Sequence, residues 1–126
     1  MNEHGFVKSI TRKLPKEIYV WKIQAMMNNG LPDLYFSGIA GDLWLEVKFI
    51  KLPKRDTTLI KPGLSELQLN WLTKRYKEGR SVALLIGSDE GCYVQQHPSF
   101  DKPINKHTFK STRQQIVEWI ISQTNG

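Results

Sequence analysis

The sequence predicts an α/β fold in which helices flank a mixed β-sheet, with the elements in the order αβββαββα. Three observations carry that prediction. Residues 43–49 alternate without interruption, with Leu43, Leu45, Val47 and Phe49 on one side of a strand and Trp44, Glu46 and Lys48 on the other. Ser81 to Gly87 forms a continuous apolar run, the pattern of a strand covered on both faces. Between them, Ser65 to Lys77 carries the start and stop signals of a helix, and strand, helix, strand implies a right-handed crossover between parallel strands.

Size and charge narrow the class. The chain has 126 residues, the size of a single domain spanning 1–126. Its net charge is +6, which suits a polyanionic partner. A lone cysteine, Cys92, excludes an internal disulfide framework and fits a reducing compartment. There is no signal-peptide hydrophobic region and no run of about 18 apolar residues. A cytoplasmic protein that neither spans a membrane nor is secreted by the usual route is expected.

Taken in order, residues 2–14 read as a helix with Phe6, Val7, Ile10 and Leu14 as its apolar stripe, capped by Asn2 and ended by Pro15. Glu3 falls in its first turn, where the helix dipole favours an acid; His4 reads as a surface residue. Glu17 to Gln24 is rich in β-branched and aromatic residues and reads as a strand. Its Tyr19, Trp21 and Ile23 share a side, and such aromatics read as core ahead of base-stacking groups. Ala25 to Asn29 reads as loop, and Asn28-Asn29-Gly30 is a turn signal.

Pro32 opens the next strand, and a glycine-flanked turn joins it to the alternating strand. Pairing Ser37 with Asp42 places Tyr35 opposite Trp44 and Asp33 opposite Glu46, with Lys48 on the same face. Directly opposed side chains have Cβ atoms roughly 4.5–5.5 Å apart. Two carboxylates that close require a proton on one or a cation between them. Paired carboxylates are a common way to hold Mg²⁺, and a lysine beside them can orient a water and offset phosphate charge. A plain surface hairpin with a cross-strand ion pair also accounts for the alternation.

Ile50 to Gly63 is a long proline-marked loop bearing Lys51, Lys54, Arg55 and Lys61, four cations suited to a nucleic-acid backbone. The helix from Ser65 has Gln68 at capping-box spacing, Leu64, Leu67, Trp71 and Leu72 as its apolar stripe, and Gly79 as its stop. Asp89-Glu90-Gly91 is a turn, Cys92 to Gln96 a short strand, His97 to Phe109 a loop, and Ser111 to Gln123 a closing helix with Ile116, Trp119 and Ile120 facing inward.

Pro32-Asp33, twelve intervening residues, then Glu46-Val47-Lys48 resembles the signature of the PD-(D/E)XK nucleases. Together with Gly30-Leu31-Pro32-Asp33, Leu45-Glu46-Val47-Lys48 and Leu64-Ser65-Glu66-Leu67-Gln68, it resembles the VRR-NUC branch, which includes small stand-alone phage and bacterial proteins. The likeness runs from about Glu3 to Gly87. It implies a restriction-endonuclease-like core and a Mg²⁺- or Mn²⁺-dependent DNA endonuclease. Asp33, Glu46 and the Val47 carbonyl would hold the metal, with Glu3 in support. Lys48 would position the attacking water, and Gln68 would order the catalytic strand. The resemblance also implies branched DNA, of Holliday-junction or flap type, as substrate and a homodimer as the assembly. A non-cleaving nucleic-acid-binding module on the same fold is the alternative, and a small protein that uses its basic face on a protein partner is a third class.

Overall fold

Among the described residues, five strands hydrogen-bond into one sheet in the order β1-β2-β3-β4-β5: Tyr19–Lys22, Leu34–Ser37, Asp42–Phe49, Val82–Gly87 and Cys92–Gln95. The computed structural model describes residues 1–23, 30–97 and 99–126. Gln24, the expected Ala25–Asn29 loop with its Asn28-Asn29 turn, and Pro98 lie outside the described residues. β3 runs parallel to β4 and all other neighbours are antiparallel, so the sheet is mixed as expected.

The register of the central hairpin follows from its turn. Ser37 pairs with Asp42 and Tyr35 with Trp44. The turn between them is docked at its tip, where the Ala40 and Gly41 N–H groups donate to the Thr124 carbonyl at 2.8 and 3.1 Å. Asp33 lies one residue before the ladder begins.

Each face of the sheet has its own core. Leu34, Phe36, Leu43, Leu45, Val47, Ala83 and Leu85 point to helices α1 (Glu3–Thr11) and α3 (Arg113–Thr124), packing on Phe6, Ile10, Ile116, Val117 and Ile120. Val82, Leu84 and Ile86 point the other way, to Leu72 of helix α2 (Glu66–Lys77) and to Ile60, Phe100, Ile104 and Phe109 of the long connections. All six residues of β4 are buried, the outcome its unbroken apolar run anticipates.

Local chemistry sets the element ends. Asn2 Oδ1 accepts the Gly5 N–H at 2.9 Å and starts α1. That helix stops at Thr11, earlier than Pro15 alone suggests. Lys13 and Leu14 donate to the Ile10 and Thr11 carbonyls, a tightened turn that carries the chain away from α geometry ahead of the proline. Both α2 and α3 begin with full capping boxes, Ser65 with Gln68 and Thr112 with Gln115. Gly79, with φ +81°, ends α2 as Arg80 N–H reaches back to the Arg75 carbonyl.

Three further expectations are corrected. Leu67 is exposed, and the inward stripe of α2 is Leu69, Leu72 and Tyr76 with Trp71 beside it. Tyr19 and Trp21 are 61% and 45% exposed rather than core, because their side of β1 lies beyond the reach of α2, which packs over β4. Within the expected loop 97–109, Lys106–Thr108 forms a 3-10 turn capped by Asn105. Among the described residues no helix is long and apolar enough to cross a membrane.

Candidate active site

Glu46 occupies the centre of β3 on the α2 side, and its side chain is 2% exposed. Alternation dictates the direction: with Leu45 and Val47 committed to the α1/α3 core, Glu46 must enter the layer between the sheet and α2. Gln68, in the first turn of α2, meets it there. Its Nε2 donates to Glu46 Oε2 at 2.8 Å. Its Oε1 accepts the Ser65 N–H at 2.9 Å and closes the capping box. The capping and site roles expected for Gln68 therefore coexist, since the amide has two ends.

Lys48 lies two residues on along the same face. Its Nζ is 3.6 Å from Glu46 Oε2 and 3.5 Å from Gln68 Oε1. These long contacts leave the ammonium room to reach a further anion.

Asp33 reaches the same place from the residue just before β2. Its Oδ2 accepts the Val47 N–H at 2.9 Å, continuing the hairpin by a side chain where the backbone ladder ends. In an extended strand a residue's N–H and carbonyl lie along the same edge, so the Val47 carbonyl also faces the Asp33 side. Gly30 seats this segment against α2. At φ +80° it lies so close to the Leu67 carbonyl that a Cβ would overlap it.

Glu3 approaches from α1. The Phe6 ring packs on Phe49 with centroids 5.3 Å apart and lies so close to Gly87 that a Cβ there would overlap it. That contact fixes the start of α1 at the exit of β3. Glu3 is exposed, and its pKa is raised by partial burial and by the Asp33 charge, with Lys48 opposing. It enters the site through its field.

The electrostatics centre on Glu46. Burial first, then the Asp33 charge, push its pKa up to about 8 against the pull of Lys48, and Glu3 adds to the rise. Glu46 Oε1 is buried and has no hydrogen-bond partner among the described residues. A buried acceptor left unpaired costs about 1–3 kcal/mol, more if charged. The carboxyl therefore lacks either a proton or a cation at Oε1. A hard cation with oxygen ligands fits this donor set, with Glu46 Oε1 free, Asp33 adjacent and the Val47 carbonyl on the same edge. No three His, Cys, Asp or Glu residues form a ready-made metal cluster among the described residues, so a cation here would keep water in several positions.

The four expected backbone-binding cations are exposed. Lys51 lies two residues beyond the end of β3 and shares a cleft with Glu3 and Asp89. Lys54 and Arg55 sit on a loop anchored by Lys106, from the 97–109 segment. Lys106 Nζ donates to the Pro53 and Lys54 carbonyls at 3.2 and 3.0 Å and pairs with Asp56 at 3.0 Å. Ile60, next to Lys61, bridges to Ile104. Lys106 is about fifty residues away in sequence, so no local signal marks this contact.

No family model and no curated protein sequence matches the chain. Among solved structures it is similar to Hjc, a Holliday junction resolvase from the archaeal hyperthermophile Archaeoglobus fulgidus. The TM-score is 0.55 over 93% of this chain and 97% of that one, with 11% sequence identity. At that identity the likeness is one of fold, and it bears out the restriction-endonuclease-like core with its mixed sheet.

Proposed function

We propose that this protein is a divalent-metal-dependent DNA endonuclease that hydrolyses phosphodiester bonds, acting on branched DNA. The observation that carries the proposal is the buried Oε1 of Glu46, without a hydrogen-bond partner among the described residues, beside Asp33 and Lys48, a site arranged for a cation and an anion together. The signature Pro32-Asp33 with Glu46-Val47-Lys48 supports it, as does a fold shared with a protein described as a Holliday junction resolvase. The narrower VRR-NUC affiliation rests on the residues at Gly30–Asp33, Leu45–Lys48 and Leu64–Gln68.

Asp33, Glu46 and the Val47 carbonyl would hold Mg²⁺ or Mn²⁺, with Glu3 receiving hydrogen bonds from its waters. When bound, such an ion polarises a phosphoryl oxygen and lowers the pKa of a coordinated water. The chain supplies the rest. Lys48 orients the attacking water and meets the negative charge that builds on the phosphate, and a preorganised charge needs little rearrangement as the reaction proceeds. Gln68 holds the Glu46 carboxylate through Oε2, leaving Oε1 for the cation. Val47 N–H holds Asp33 in the same way. Lys51, Lys54, Arg55 and Lys61 bind flanking phosphates, which adds affinity without sequence preference. All of this takes place in one domain, and a homodimer would present two such sites to a branched substrate.

The test is cleavage of a labelled panel comprising a four-way junction, a flap, a linear duplex and a single strand, each with Mg²⁺, Mn²⁺ or EDTA. Metal-dependent cutting of the branched forms, lost in Asp33→Ala, is expected. Tight binding without cutting in either metal would leave the non-cleaving DNA-binding module instead.

A further inference from the structure

One face of the sheet carries a row of aromatic rings that the hydrolytic chemistry does not use. Trp21, Tyr35 and Trp44 occupy one register row across β1, β2 and β3. Their ring centroids lie 6.5 Å apart for Trp21 and Tyr35 and 4.4 Å apart for Tyr35 and Trp44. Trp44 meets Trp71 of α2 at 5.3 Å, and the Arg75 guanidinium covers Trp71 at 5.4 Å. The Tyr35 hydroxyl donates to Asp42 at 2.8 Å and fixes its ring. Tyr19 lies on the same side as Trp21, two residues away. The row is thus rigid at its α2 end and open at its β1 end.

The position of this row gives it meaning. Glu46 is two residues from Trp44, and Asp33 two from Tyr35, on the same face. Trp21 pairs with Tyr35 and Tyr19 with Ser37, one strand out from Asp33 and two and four residues along, so they lie about 8 and 14 Å from it, roughly two and four stacking steps of a nucleic-acid strand at about 3.4 Å each. We propose that the exposed rings of Trp21 and Tyr19 form a stacking shelf for an unpaired nucleobase beside the scissile phosphate. The substrate class is then DNA with an unstacked base within about four nucleotides of the cut. The inference rests on the nuclease reading and sharpens it. Every base has a π-face, so such a shelf recognises exposure of a base rather than its identity. Position favours a nucleic acid over a second copy of the chain: the row adjoins Asp33 and Glu46 on the same face and so continues the candidate active site, and the net charge of +6 suits a polyanion.

The test is equilibrium binding in EDTA of two labelled duplexes, one fully paired and one with a single bulged adenine. Circular dichroism verifies the fold of each variant. Trp21→Ala is expected to weaken binding of the bulged duplex by roughly 5- to 150-fold, the range for one stacked base, and to leave the paired duplex unchanged. Trp21→Phe restores most of the loss, and Tyr19→Ala weakens the bulged duplex in the same direction. Equal losses on both duplexes, or none on the bulged one, overturn the shelf. A change in sedimenting mass from dimer to monomer in Trp21→Ala also overturns it, by assigning the face to a second copy. Cleavage is measured separately with Mg²⁺. Discrimination in EDTA without cleavage in Mg²⁺ supports the shelf while refuting the nuclease reading.

Discussion

Replacing Glu46 with Gln probes the buried carboxyl through stability alone. In the folded protein Glu46 holds its proton up to about pH 8, whereas its ordinary value is 4.5. Between those values the folded state binds more protons than the unfolded state, so stability falls as pH rises. The full interval at 1.36 kcal/mol per unit sets a ceiling of about 5 kcal/mol on the loss. Glu46→Gln keeps the shape and removes the titration. Its own cost, about 1–3 kcal/mol for an imperfectly paired buried amide, does not change with pH. Urea unfolding in EDTA at intervals from pH 5 to 8.5 should therefore show the variant gaining on the wild type as pH rises. Its advantage should grow by several kcal/mol and level off near pH 8. Asp56 and Glu78, whose pKa values are lowered by Lys106 and Arg75 respectively, act below this window and are common to both proteins. A difference between the two proteins that stays flat across pH 5 to 8 would refute the reasoning.

Three further outcomes follow from the same geometry. Lys48→Ala should cut the cleavage rate by roughly 10²- to 10⁴-fold while leaving DNA affinity in EDTA nearly unchanged, as single-turnover kinetics and anisotropy would show; an equal loss of binding would make Lys48 a phosphate-binding group only. Lys54→Gln with Arg55→Gln should flatten the salt dependence of duplex binding by about 0.9 for each phosphate no longer neutralised, and Lys106→Met should flatten it in the same direction by releasing the loop that carries both; an unaltered slope in Lys106→Met would mean the anchor does not position them. Leu72→Ala should destabilise by about 2–5 kcal/mol, and Leu67→Ser by less than about 0.5 kcal/mol, in chemical denaturation; similar costs would contradict the observed face of α2.

The parts of the fold that local chemistry determines are legible in the sequence. A strict period of two places Glu46 and Lys48 together, a short turn sets the Ser37–Asp42 register, and capping boxes mark α2 and its Gln68. Asp33 is legible as a partner for Glu46, but its bond to the Val47 N–H is not, because it uses a side chain where the ladder stops. The stripe of α2 is ambiguous because Leu67 and Leu69 offer the same side chain in two helical phases, and only packing against β4 chooses between them. The exposure of Tyr19 and Trp21 depends on how far α2 extends over the sheet, which the strand's own residues do not encode. The Lys106 anchor depends on an interaction across about fifty residues, beyond the reach of any local pattern.

The most direct test of the metal site is calorimetric titration of Mn²⁺ into the wild type, Asp33→Asn and Glu46→Gln at pH 6 and pH 8. The expected result is binding by the wild type that releases protons and tightens from pH 6 to 8, since the ion must displace the Glu46 proton, and that is lost in both variants. Undiminished binding in either variant, or wild-type affinity independent of pH, would contradict a cation held by Asp33 and Glu46.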